Sequence, residues 1–161
     1  MMPRTHAIIG ALIAALLSFK FSITFADVII GAIFGSVVDL DHVYAHWKSS
    51  GILSLSETAR VGVLELENGK TPYIHGYYGL LTMAVPASAA YYFFGLKYGL
   101  LIYLPFLAHL FFDFIVKPSK SIRALYKFGN WLIPITLDEL ILDAFVFNFL
   151  MLSLLYFGIL V

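Results

Sequence analysis

Long apolar runs separated by short polar segments dominate the pattern of the chain. A helix that crosses a bilayer needs about 20 predominantly apolar residues, with a range of about 17–25. All runs except the first reach that range, and the first is short. The pattern predicts an all-α fold, a polytopic membrane helical bundle of about five transmembrane helices in one integral-membrane domain, residues 1–161. The predicted spans are residues 5–19, 27–44, 77–95, 98–116 and 138–160.

Three polar segments shape the connections between these runs. Gly95-Leu96-Lys97 splits a long apolar stretch and predicts a helical hairpin. Residues 54–67 fit a short interfacial helix ending at Asn68-Gly69, and the alternation at 61–67 equally permits a hairpin strand. The start of the chain also resembles a signal peptide, but no small-residue cleavage site precedes Asp27, which favours a retained first helix.

Residues 119–129 carry basic residues at helical spacing. Ser119 is a candidate N-cap, Gly129 is a candidate C-cap, and the basic positions follow an i, i+3, i+7 pattern. The segment therefore predicts a basic amphipathic helix lying on an anionic leaflet. We expect it to bind a lipid headgroup through Lys120, Arg123 and Lys127.

The basic residues are distributed unevenly between the two sides that the predicted spans define. Lys20 and Lys97 lie on one side, and the other eight of the ten lie opposite. Because cytoplasmic loops carry the excess of Lys and Arg, we expect a plasma or inner membrane protein with a cytoplasmic N-terminus and an external C-terminus. The cytoplasmic set is Arg4, Lys48, Arg60, Lys70, Lys117, Lys120, Arg123 and Lys127.

Composition supports the membrane interpretation and narrows the chemistry. The chain is 61% hydrophobic and 12% charged, with a mean hydropathy of +0.90, whereas soluble domains are about 45–50% apolar and about 25% charged. A net charge of zero does not indicate a nucleic-acid partner. The absence of cysteine excludes disulfides and thiolate metal ligands. No sequence feature predicts an oligomeric state.

All five histidines, and nine of the ten acidic residues, fall on the predicted cytoplasmic side. Ionisable groups at or inside lipid are costly and mark functional sites. His109 and Asp113 stand at i, i+4, so they share one helical face. A His–Asp pair that serves only helix packing is the alternative explanation; the hydrophobic surroundings strengthen the case for a metal site, and both explanations stay open.

A second candidate motif, Asp39-Leu40-Asp41-His42, lies at the end of the span 27–44. Asp39 and His42 share a helical face at i, i+3, and Asp41 lies between them. Two acids at a helix C-terminus repel each other and oppose the helix dipole. We therefore favour a bound cation or a catalytic duty over the alternative, a solvated helix end.

Together with His6 and His75, these residues supply ligands from four spans at one membrane depth. His6 and His75 taken singly are typical interfacial residues. Asp138 and Glu139 fit a helix N-terminus, and whether they or Asp143 join the site stays open. Imidazole and carboxylate suit zinc, iron or manganese, and we expect one or two divalent ions, with zinc as the best fit. The predicted ligands are His6, Asp39, Asp41, His42, His75, His109 and Asp113.

These motifs resemble the YdjM-like family of membrane-bound metal-dependent hydrolases. The matching features are Thr5-His6 with Gly10, Gly35-Ser36 with Asp39-Leu40-Asp41-His42, the central His75, and His109 with Asp113. The chain departs from the family pattern at Val38, where a proline is usual, and around His75, where basic and serine neighbours are replaced. A weaker similarity to all-helical zinc phospholipases C implies phosphoester chemistry.

The functional hypothesis is a membrane-embedded metal-dependent hydrolase at the cytoplasmic interface. Its expected partners are membrane lipid and an amphiphilic, phospholipid-like phosphoester. Asp39 and Asp41 are the candidate catalytic residues, with Asp41 as the general base if it is not a ligand. The alternatives are a transporter or metal-handling membrane protein, and a non-catalytic membrane scaffold whose polar residues form a packing network.

Overall fold

The computed structural model describes residues 3–51, 77–115, 123–128 and 131–159. Helices dominate this part of the chain, in agreement with the predicted helical class, and one short hairpin accompanies them. The helices are α1 (Pro3–Leu16), α2 (Phe25–Ser36), α3 (Leu40–Ser50), α4 (Tyr77–Phe94), α5 (Leu96–Ile115) and α6 (Leu137–Tyr156), with 3-10 turns at Leu17–Phe19 and Val37–Asp39, and the strands are β1 (Arg123–Phe128) and β2 (Trp131–Thr136). The interfacial segment 54–67 and His75 lie outside the described residues.

Helix α1 packs against α2 through glycines that bring the two backbones into contact. A Cβ at Gly35 would collide with the carbonyl oxygen of His6, and a Cβ at Gly10 would lie 3.0 Å from the Gly35 Cα. A Cβ at Gly31 would lie 2.5 Å from the Ala14 Cβ. Small residues four apart on facing helices permit this close approach. The packing places the first turn of α1 beside the end of α2.

Two apolar clusters surround this helix pair. The first joins α1 and α2 to α6 and contains Ala11, Ala15, Val28, Leu150 and Leu154. The second joins the end of α2 to α4 and α5 and contains Val38, Met83 and Phe106. Burial of such side chains stabilises by about 25 cal/mol per Å² of apolar surface removed from water. Helix α1 thus lies between α2, α5 and α6.

The turn between α4 and α5 forms where the sequence predicts it. Gly95 has a φ of 90°, a left-handed conformation that glycine adopts without a Cβ penalty. Its amide donates to the Tyr91 carbonyl at 2.9 Å and closes the end of α4. The hairpin places Lys97 at the beginning of α5.

Lys97 ties this hairpin to the beginning of α2. Its Nζ lies 3.1 Å from Asp27 Oδ2 and 3.3 Å from the Ser22 carbonyl oxygen. Asp27 also forms a reciprocal capping box with Thr24, which satisfies amide groups at the α2 N-terminus. Asp27, the one acidic residue on the far side of the predicted spans, is therefore a structural cap with an ion-pair partner.

The predicted continuous helix over 27–44 is wrong, because α2 ends at Ser36 and a 3-10 turn precedes α3. Ser36 Oγ donates to the carbonyl oxygens of Ala32 and Ile33 at 3.1 and 3.2 Å. The carbonyl of Gly35, the residue before Ser36, accepts a hydrogen bond from His109. Side chains that bond to helix carbonyls bend or interrupt helices.

This interruption also corrects the dipole argument for the acidic pair. Asp39 occupies the N-cap position of α3, and Asp41 lies in its first turn. A helix N-terminus stabilises negative charge, so these carboxylates are not opposed by the dipole of the helix that follows them. Their role must be judged from their contacts instead.

The predicted basic helix over 119–129 is also wrong where the structure describes it. Arg123–Phe128 forms β1, which pairs antiparallel with β2 from Arg123↔Thr136 to Phe128↔Trp131. Only Gly129 and Asn130 separate the two strands, and such a pair is typical of a two-residue hairpin connection. Arg123 and Lys127 fit a period of two as well as a helical period, and Lys120 lies outside the described residues.

One helix within the described part of the chain is long and apolar enough to cross a membrane, with its best window at Leu96–Asp113. The apolar helical segments Arg4–Phe19 and Ile141–Tyr156 are shorter than that criterion requires. Length and composition therefore support one crossing more strongly than the five that the sequence pattern predicts.

Candidate metal centre

His109, near the end of α5, is fully buried and held by a backbone carbonyl. Its Nδ1 lies 2.7 Å from the Gly35 carbonyl oxygen. Because a carbonyl only accepts, Nδ1 must carry the proton. In the neutral ring Nε2 then presents a lone pair. A carbonyl partner of this kind typically orients a metal-ligating histidine.

The Nε2 atom of His109 is directed towards two carboxylates. It lies 3.2 Å from Asp113 Oδ2, one helical turn away, and 3.7 Å from Asp39 Oδ1, at the end of the 3-10 turn. A lone pair and two carboxylate oxygens repel one another unless a proton or a cation lies among them. The arrangement is therefore suited to a positively charged ligand.

His6, in the first turn of α1, completes the group. Its ring stacks on that of His109, with centroids 3.5 Å apart and an interplanar angle of 21°. Its Nε2 lies 3.1 Å from Asp113 Oδ1. The side chain is fully buried, and apart from this contact with Asp113 neither ring nitrogen has a hydrogen-bond partner within the described part of the chain. Leaving a buried polar group unsatisfied costs about 1–3 kcal/mol, so a bound ligand would account for this ring.

The spacing of the donor atoms fits a small divalent ion. One donor atom from each of His6, His109 and Asp113 lies within 4.8 Å of the others. Bond lengths of about 2.0–2.2 Å in a tetrahedral zinc site separate neighbouring ligand atoms by about 3.3–3.6 Å, which is within the 4.8 Å that encloses these three donors. The two imidazoles each approach Asp113, at 3.1 and 3.2 Å, through different carboxylate oxygens. Two imidazoles and a carboxylate form a donor set that suits zinc, iron or manganese.

The other predicted ligands are Asp41, His42 and His75. Asp41 and His42 are buried in the first turn of α3, but they do not belong to the three-residue group found among the described residues. His75 lies outside the described residues. Of the predicted ligands, the structure brings together His6, His109 and Asp113, and it places Asp39 Oδ1 3.7 Å from His109 Nε2.

Asp143, whose participation was open, has a different environment. Its Oδ1 accepts a hydrogen bond from Thr5 Oγ1 at 2.5 Å, and its Oδ2 lies 2.8 Å from Arg4 Nε. Both oxygens are engaged by the residues that directly precede His6. Asp138 and Glu139 begin α6, and their side chains are outside the described part.

Sequence analysis missed two parts of this centre. The Gly35 carbonyl that orients His109 was not predicted, although the Gly31-x-x-x-Gly35 spacing was a readable signal of close helix packing. The link from Asp143 to the start of α1 has no local signal, because the two segments lie at opposite ends of the chain.

Comparisons of this chain with protein-family models, curated proteins and solved structures found no match.

Proposed function

We propose that this chain is a membrane-embedded, divalent-metal-dependent hydrolase that acts on an amphiphilic, phospholipid-like phosphoester at the cytoplasmic interface. The observation that carries the proposal is the buried group of His6, His109 and Asp113, whose donor atoms lie at metal-ligand spacing. The sequence motifs that resemble membrane-bound metal-dependent hydrolases give the reaction class.

The distribution of polar and apolar side chains supports a lipid environment. Large apolar side chains are exposed along the outward sides of the helices, including Val85 at 70% and Phe145 at 71%. The window Leu96–Asp113 is only 28% buried, which is unlike a core helix of a soluble protein. Soluble monomers rarely expose such contiguous apolar surface. On α2 the exposed set continues at helical spacing with Phe25, Ile29 and Ile33.

Exposed aromatic residues collect at the end of the bundle that holds Lys97. Tyr92, Phe94 and Tyr156 are each more than 70% exposed. Aromatic and basic side chains together are typical of a membrane–water interface. His109 follows Lys97 by twelve residues, about 18 Å along a helix at 1.5 Å per residue. His109 therefore lies in the half of the bundle away from Lys97, the side that the distribution of basic residues favours as cytoplasmic.

The chemistry of these side chains fits a divalent ion. His6, His109 and Asp113 would hold it, with Asp39, 3.7 Å from His109 Nε2, as a further candidate ligand. A bound divalent ion supplies Lewis-acid polarisation of a phosphoester oxygen and lowers the pKa of water. The Gly35 carbonyl keeps the His109 ring in the orientation that presents Nε2. We assign the role of proton acceptor to Asp41, a buried acid in the first turn of α3 that does not belong to this group.

The interior of α5 favours a hydrolase over a transporter. Between Lys97 and His109, the side chains of Leu101 and Phe106 are completely buried. The polar groups at the far end are held by the Asp27–Lys97 ion pair. A transport path needs polar groups or water along its length, and this part of the bundle is filled by apolar side chains instead.

The proposal is tested by assaying purified protein in lipid nanodiscs against a panel of phospholipid and lysophospholipid phosphoesters, with zinc, manganese or ferrous ion. We expect hydrolysis that a chelator abolishes and the matching metal restores. The His109→Ala variant should be inactive, whereas Asp27→Asn, which alters a buried acid at the other end, should retain activity. Wild-type protein that binds metal without hydrolysing any substrate would favour the metal-handling alternative, and protein that binds none would favour the scaffold.

A further inference from the structure

Asp143 is a buried carboxylate that joins the two ends of the chain. It lies on α6, is 8% exposed, and engages consecutive residues of α1 with its two oxygens. Thr5, which donates to it, is completely buried, whereas the Arg4 side chain is 44% exposed. The next residue along α1 is His6. One carboxylate thus holds the backbone segment from which a metal-centre ring projects.

The first turn of α1 has little local stabilisation of its own. The first amide groups of a helix have no intrahelical partner, and helix ends fray. No acidic residue occupies this turn, and Arg4 places positive charge where the helix dipole disfavours it. Asp143 supplies from α6 the negative charge that the turn lacks. The clamp therefore compensates for a helix start that would otherwise be weak.

The His6 ring has few other restraints. Its Nε2 contacts Asp113 at 3.1 Å, and its position otherwise depends on stacking against His109 and on the backbone contact with Gly35. A rotation or fraying of the first turn would move Nε2 away from Asp113. The contacts that hold the first turn of α1 therefore also determine the position of His6 Nε2.

We propose that Asp143 is a positioning residue of the metal centre, which holds His6 in place through Thr5 and Arg4. The inference rests on the proposed function, because it requires that the centre bind a metal. It assigns α6 a part in the site without making Asp143 a ligand. Loss of the clamp should weaken metal binding through His6 alone.

The chain offers a matched control at the other end of the bundle. Asp27 is also a buried carboxylate that accepts a hydrogen bond from a threonine hydroxyl, that of Thr24 at 2.9 Å, and pairs with a basic side chain, that of Lys97 at 3.1 Å. A role in stability alone predicts the same consequences for Asp27→Asn and Asp143→Asn. A positioning role predicts that only Asp143→Asn changes metal affinity.

The test measures zinc affinity by competition with a chelating dye, on full-length protein in nanodiscs, beside the thermal stability of each metal-free variant. Removing a group that orients a metal ligand typically costs about 10–100-fold in affinity, and we expect that loss for Asp143→Asn and Thr5→Val. Thr5→Ser, which keeps the hydroxyl, should bind as wild type does. Asp27→Asn should stay within about threefold of wild type, although it lowers stability.

A double variant isolates the route through His6. His6→Ala with Asp143→Asn should bind zinc no more weakly than His6→Ala alone. Three outcomes would overturn the positioning role and leave the metal centre intact. They are wild-type zinc affinity in Asp143→Asn and Thr5→Val, equal losses of affinity in Asp143→Asn and Asp27→Asn, and a further loss in the double variant. Wild-type protein without zinc affinity would overturn the proposed function and this inference together. If Asp143→Asn does not fold, the comparison of Thr5→Val with Thr5→Ser decides the question.

Discussion

The imidazole rings of His6 and His109 are stacked in the bundle interior, and each presents its Nε2 to a different oxygen of Asp113. Two protonated rings in this position would repel each other at a centroid separation of 3.5 Å. The shared Asp113 carboxylate, with Asp39 3.7 Å from His109 Nε2, would have to compensate two buried positive charges. Two neutral rings around a divalent ion avoid that repulsion and use both lone pairs.

The first prediction concerns metal content. Wild-type protein purified without chelator should retain a divalent ion, and His109→Ala combined with Asp113→Ala should lose it, because the change removes donors that lie 3.2 Å apart. Elemental analysis by mass spectrometry measures the ion per chain. Ser88→Ala, on the exposed side of α4, serves as the control. Equal metal content in wild type and the double variant would exclude both residues as ligands.

The second prediction separates the two acids at the start of α3. Asp39 Oδ1 lies 3.7 Å from His109 Nε2, so Asp39→Asn should lower metal affinity and activity together. Asp41 is outside the group, so Asp41→Asn should keep the metal and lower kcat by about 10²–10⁴-fold, the usual contribution of a general base. Zinc titration and phosphoester turnover on the same preparations test this division. Loss of metal in Asp41→Asn would make Asp41 a ligand instead.

The third prediction concerns the α1–α2 contact. A Cβ at Gly35 collides with the His6 carbonyl, so Gly35→Ala should destabilise the bundle by about 1–3 kcal/mol, as overpacking typically does. It should also weaken metal binding, because it displaces both His6 and the carbonyl that orients His109. Thermal unfolding in nanodiscs and zinc titration measure the two effects. Gly35→Ala with wild-type stability would show that the helices are not in contact there.

The fourth prediction concerns topology. Reporter fusions after Lys97 and after Val161 should both indicate the external side, because eight of the ten basic residues lie on the opposite side of the predicted spans. A fusion in the 45–76 segment should indicate the cytoplasm. An external signal there, or a cytoplasmic signal at either of the other two positions, would contradict the five-span arrangement.

Much of the helical framework was predictable because its signals are local. The predicted spans 77–95 and 98–116 correspond to α4 and α5 within two residues at each end, and Gly95 marks the turn between them. The end of α2 was not predictable in this way, since it coincides with a hydrogen bond from the distant His109. The hairpin was missed although Gly129-Asn130 signals it, because a helical spacing of basic residues fits the same segment.

In the candidate centre, too, contacts that are local in sequence were predictable and contacts between distant segments were not. His109 and Asp113 share a helix, so their i, i+4 spacing was enough to pair them. Their contact with His6 depends on how closely α1 approaches α2. The glycine spacing determines that distance, whereas the types of the ligand residues do not. The role of Asp143 stays open from the sequence, because its partners lie in the first turn of α1, far away along the chain.

The completely buried Leu101 and Phe106 have a consequence for the membrane itself. If the interior is closed between the two ends of α5, a lipid substrate and both products of the proposed reaction must arrive and depart on one side. The protein would then alter the lipid composition of the inner monolayer alone, and equalising the two monolayers would depend on separate lipid-flipping proteins.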